Sequence, residues 1–82
     1  MGRRILPKSI PNTSNTLTTE ILGQFVRAKR TQAQLRIDDA AQLCGVSVET
    51  LSKIETAKSG VRVDSLFKVL NGLGIKLQVV PW

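Results

Sequence analysis

The sequence predicts an all-α fold: a compact bundle of four to five helices, followed by a C-terminal β-strand that pairs across a homodimer. Three observations lead there. Apolar residues recur at i, i+3 and i+4 through most of the chain. Two short helical segments, 37–44 and 48–55, are joined by a turn at Gly45. The last stretch, IKLQVVPW, changes to a period of two.

Eighty-two residues make one small domain. Cys44 is the only cysteine and histidine is absent, which excludes a disulfide scaffold and a zinc site. Cys44 falls on the apolar side of its segment and reads as a small buried hydrophobe in a reducing cytoplasm, with a redox sensor as the alternative. With no base beside that thiol there is no catalytic set, and no cofactor is implied. No run has the roughly 20 apolar residues of a membrane span, and the N-terminus lacks the apolar core of a secretion signal. Twelve Lys and Arg against six Asp and Glu give a net charge of +6. That balance suits a polyanion, most commonly nucleic acid.

Residues 1–15 form a basic arm carrying Arg3, Arg4 and Lys8 and no acid. Pro7, Pro11 and the polar cluster from Asn12 to Asn15 defeat any periodicity, so the arm is expected to be mobile. It can lie along phosphates or in a minor groove, or be a solvated tail. Ile5, Leu6 and Ile10 leave open a segment that orders against a protein.

The first helix is expected over about 17–31, with Ile21, Leu22, Phe25 and Val26 on its apolar stripe. Glu20 near its start and Arg27, Lys29 and Arg30 near its end suit the helix dipole. The bases are also candidates for phosphate, Arg27 foremost. Gly23 marks close approach by another helix. Residues 31–36 either extend this helix or form a loop from which Leu35 drops into the core, leaving Arg36 beside any bound backbone.

Ile37–Cys44 and Val48–Glu55 are the organising pair. A crossing of two helices needs a small residue at the contact, a glycine at the turn and branched apolar side chains behind. Ala41, Gly45, Leu51 and Ile54 meet that need, and Ser47 caps the second segment. This is a helix-turn-helix. With Leu51 and Ile54 inward, the outward and leading positions are Ser47, Val48, Glu49, Ser52 and Lys53. A carboxylate accepts from cytosine N4, an apolar group meets a thymine methyl, and hydroxyl and ammonium groups reach bases or phosphates. These five are the candidates for base reading. Residues 56–63 form a loop in which Lys58 and Arg62 are candidates for phosphate. A last helix, Val63 to Leu73, ends at Gly74. Ile75, Leu77 and Val79 then alternate with Lys76 and Gln78 as the expected dimer strand. Trp82 is a candidate anchor for a partner.

GVSVETLSKIE resembles the GVS-x-x-T-[IL]-S-x-[IW]-E signature of the Xre/Cro-type helix-turn-helix repressors. The resemblance covers about 17–74, so that 16–74 is the expected DNA-binding domain and 75–82 the dimerisation tail. Many members carry Thr-Gln where Arg36-Ile37 stands here, and leucine where this chain has Ala40. The strand directly after the last helix resembles, more narrowly, the HipB-type antitoxins. That resemblance implies a cytoplasmic homodimer on an inverted-repeat operator of double-stranded DNA. It also implies a HipA-like serine/threonine kinase toxin as partner, with a third small protein in some systems. The alternatives are a free-standing Xre-family transcriptional regulator and a protein-only adaptor.

Overall fold

Thr18 starts the first helix: its Oγ1 accepts from the Ile21 N–H at 3.1 Å, which satisfies one of the donors that a helix leaves unpaired at its start. The structure, a computed structural model, describes residues 5–10 and 16–81. Arg3, Arg4 and Trp82 lie outside them. Four helices are present among the described residues: α1 Thr19–Gln32, α2 Ile37–Cys44, α3 Val48–Glu55 and α4 Val63–Leu73. The last three match the expected spans, and α1 starts two residues late.

Segment 31–36 divides between the two options. Gln32 ends α1, Gln34 takes a left-handed φ of 59°, and half-buried Leu35 packs on the core. Gly45 closes α2 at a φ of 75°, a conformation that side chains disfavour. Ser47 then caps α3, accepting from the Thr50 N–H at 3.0 Å.

Leu51, Leu70, Val26 and Val69 are the largest fully buried side chains, and Ala40 and Ala41 stand buried among them. Each buried branched side chain contributes roughly 1.5–3 kcal/mol. Beside the alanine at 40, Leu35 and Ile37 pack against the same cluster. Small residues let the helices approach. A Cβ added to Gly23 would lie 2.5 Å from the Ile54 carbonyl oxygen. One added to Gly72 would lie 2.6 Å from the Cys44 sulfur. The first approach was legible in the sequence; the second was not, because Gly72 sits among residues that read as a helix end.

The strongest polar tie joins α1 to α3. Arg30 Nε and Nη2 donate to the two carboxylate oxygens of Glu55 at 2.6 and 2.9 Å. Nη1 donates to the Leu35 carbonyl at 3.0 Å. The two side chains are only 12% and 6% exposed. Arg30 is therefore spent inside the fold and is withdrawn from the candidates for phosphate.

The C-terminal strand is not found. Gly74 takes a left-handed φ of 73°, and the Ile75 N–H donates back to the Leu70 carbonyl at 2.8 Å. Residues 75–81 carry no strand. An extended segment needs a neighbour to take up its N–H and C=O groups, and no other described segment is a strand. Nor does the alternation sort the side chains: Ile75 packs on the core, Leu77 is exposed, and Val79 and Val80 are 88% and 82% exposed. The pattern of Ile75, Leu77 and Val79 recorded composition, not pairing.

Cys44 is buried and its thiol donates to the Val69 carbonyl at 3.7 Å. Burial pushes its pKa above the ordinary 9.0. The neutral thiol is thus favoured in the folded chain, a contribution present below pH 9.0 and lost as pH climbs through the raised value.

Replacing Arg30 with Met leaves Glu55 buried and unpaired, and should lower the stability by about 3–5 kcal/mol in urea unfolding. Adding Glu55→Leu should restore much of that loss. Gly23→Ala should destabilise by about 1–3 kcal/mol, although alanine is the better helix former, because backbone stands where its methyl group must go. Cys44 should resist a disulfide reagent at pH 8 in the native protein and react at once in urea.

Candidate nucleic-acid interface

α3 is held by its inner face and open on its outer one. Leu51 and Ile54 are buried, while Ser47, Val48, Glu49 and Thr56 are exposed. Val48, at the leading end, is 45% exposed, a branched apolar side chain that solvent alone does not favour there. Glu49 beside it is the one carboxylate on the outward face. Ser52 and Lys53 are half-buried. The five candidates for base reading thus share one rod, but they are not equally free. Ser47 Oγ accepts from the Thr50 N–H and donates to Thr50 Oγ1 at 2.9 Å, so its cap role holds it in place.

Lys53, Lys58 and Arg62 border one groove, between the α3–α4 loop and the start of α1. Its apolar floor includes Leu22, Ile54 and Leu66, and Val61 fixes the loop by packing on the core. Sequence reasoning had placed Lys53 with the bases and the other two with the phosphates; the fold brings the three together. Arg62 Nε lies 3.3 Å from Asp64, with both side chains well exposed.

Between α1 and α2, Arg36 stands at the N-cap of α2 with no side chain capping that helix. Its Nε lies 3.8 Å from Asp38, again in solvent. Exposed pairs of this kind contribute little, on the order of 0–1 kcal/mol, and are screened by salt. Both guanidinium groups can therefore exchange a carboxylate for a phosphate at small cost. Arg27 is exposed on α1.

Three polar residues missed by sequence reasoning hold the N-terminal segment. The Lys8 N–H donates to Thr31 Oγ1 at 3.0 Å. Gln32 Nε2 donates to the Lys8 carbonyl at 2.9 Å, and Gln34 Nε2 to the Ile5 carbonyl at 2.9 Å. The Lys8 side chain stays exposed. No local spacing signals these contacts, which join residues 23–29 positions apart.

Among the described residues no helix is long and apolar enough to cross a membrane. No curated protein is matched by the chain. Comparison with protein families matches residues 26–80 to the family described as Helix-turn-helix. The match takes in the end of α1, the whole of α2, α3 and α4, and the tail as far as Val80. Domains of that family are DNA-binding regulatory modules and not catalysts. No feature of the match is specific to an antitoxin. An exposed α3 on a buried frame, in a basic chain matched over two thirds of its length, thus places this protein in the Xre/Cro-type helix-turn-helix family.

Proposed function

We propose that the chain is a free-standing transcriptional regulator that lays α3 in the major groove of duplex DNA. The observation that carries this reading is the outward face of α3. Val48 and Glu49 project from the leading end of a helix whose other side is locked by Leu51 and Ile54. Glu49, Val48, Ser52 and Lys53 take the base edges, with Ser47 fixing the first turn. Arg27, Arg36, Lys58 and Arg62 take phosphates and set the register. None of the base contacts is of the bidentate arginine–guanine type, so selectivity is gained by two copies on adjacent half-sites about 34–36 Å apart. Repression follows by exclusion of RNA polymerase.

The narrower antitoxin reading rested on a C-terminal strand, and residues 75–81 contain none. No observation favours a kinase toxin as partner, or a role as a protein-only adaptor.

Labelled duplex from upstream of the gene, titrated at several salt concentrations, tests the proposal. Binding should exceed that of scrambled duplex, and log K should fall linearly with log salt. Equal affinity for both duplexes with no salt slope would exclude it. Glu49→Ala with Ser52→Ala should change the preferred sequence, each lost base contact being worth about 1–3 kcal/mol. Lys58→Ala or Arg62→Ala should instead weaken all sequences alike and reduce the salt slope by about 0.9 each.

A further inference from the structure

The groove bordered by Lys53, Lys58 and Arg62 is more than a cationic edge. A surface that only meets phosphates needs charge and donors, not an apolar floor. This one holds about 220 Å³ over Leu22, Ile54 and Leu66, more than the roughly 150 Å³ cavity that takes a benzene ring. Val63, at its edge, is 67% exposed. No acid lines it, and among the described residues no carboxylate pairs with Lys53 or Lys58. Lys53 is half-buried, and a Cβ added to Gly60 would lie 4.0 Å from its Nζ. The ammonium group therefore lies over the loop that walls the groove. α4 begins at the same edge, at Arg62 and Val63, without a side-chain cap. The field of its N-terminus adds to the pull on an anion there. Ala57 keeps its methyl group against the groove at a left-handed φ of 58°, where glycine is the easier choice.

We infer that this groove binds a small carboxylic acid with an aromatic or branched apolar body, and that the acid competes with DNA for Lys53, Lys58 and Arg62. The competition rests on the DNA-binding reading above; the binding site does not. The volume admits one ring or one branched chain, and no second one beside it. The body covers the floor of Leu22, Ile54 and Leu66, and the carboxylate turns outward to the three cations. Among the described residues Asp64 alone pairs with one of them, Arg62, at 3.3 Å in solvent. A ligand carboxylate takes the place of so exposed a partner at small cost. A neutral body leaves the cations without a partner, and an acid without a body leaves the floor wet. Only the two together satisfy the site. Because the bound acid neutralises charge that DNA would use, each ligand weakens the other by the same factor.

The test uses the full chain, isotope-labelled for amide NMR, with phenylacetate as the probe. Titration to about 10 mM should give saturable shifts of the Ala57–Val63 amides, since so small a ligand binds with affinity on the order of millimolar. Phenylacetamide, the body without the charge, and acetate, the charge without the body, should each bind about tenfold more weakly or worse. Lys53→Gln with Lys58→Gln should weaken phenylacetate about tenfold and leave phenylacetamide as it was. Thr19 is exposed, lines the groove and lies one turn before Leu22 on α1. Thr19→Phe should fill the groove and abolish binding of both, with the urea midpoint and the DNA affinity unchanged. Phenylacetate at about 10 mM should weaken duplex binding several-fold relative to acetate at the same ionic strength. No saturable shift, or equal affinity for acid and amide, would overturn the site. Saturable binding with an unchanged DNA affinity would overturn the competition. A chain that binds the acid but no duplex would overturn the regulator reading and leave the site.

Discussion

Everything outside the core depends on one constraint: α1 and α3 must touch backbone to backbone near Gly23 and be pinned beside that contact by Arg30 and Glu55. Helices of eight residues, such as α2 and α3, are not stable alone in water, because the first turn costs more than so few bonds return. α3 exists as a rod only because its inner side chains and its last carboxylate are held by longer neighbours. Arg30 does two jobs with one fork. Two donors fix the end of α3 and the third fixes Leu35 at the corner that leads into α2. The turn between α2 and α3 then needs only Gly45 and the Ser47 cap.

The same economy explains why the core is built from small residues. Ala40, Ala41 and Cys44 on α2, with Gly72 against Cys44 and Gly23 against the end of α3, leave the volume to Leu51, Leu70, Val26 and Val69. Close packing of this kind leaves no slack for an added methyl group, and it resists the small rotations that would swing α3 out of line. The proposed reading of DNA by short side chains on α3 needs that stiffness. A shift of an ångström at Glu49 exceeds the tolerance of a hydrogen bond.

The helices were legible because each carries its own signal. Ser47 caps, Gly45 and Gly74 stop, and the apolar stripes repeat at helical spacing, whereas the Thr18 cap was not read and the first helix was expected two residues early. The open face of α3 followed from placing Leu51 and Ile54 inward. What the sequence hid was of two kinds. Long-range polar ties, Arg30 to Glu55 and Gln34 to Ile5, have no local signature, and a basic residue near a helix end looks the same whether it faces solvent or a buried acid. The tail misled for a different reason. Alternation of Ile75, Leu77 and Val79 states which residues are apolar, but a strand is a relation between two segments, and one segment cannot supply it. Whether Arg27, Arg36, Lys58 and Arg62 meet phosphates is equally a property of a pair of molecules.

The depth of the Arg30–Glu55 pair has a consequence for how the protein responds to its ionic surroundings. Counterions move in water, and a fork that water scarcely reaches is beyond their screening, whereas the guanidinium groups of Arg36 and Arg62 stand in it. On the proposed phosphate role of those two groups, rising electrolyte acts on grip and not on shape: the chain lets go of a polyanion while still folded, and is ready to engage again, with no refolding step, once the electrolyte is diluted.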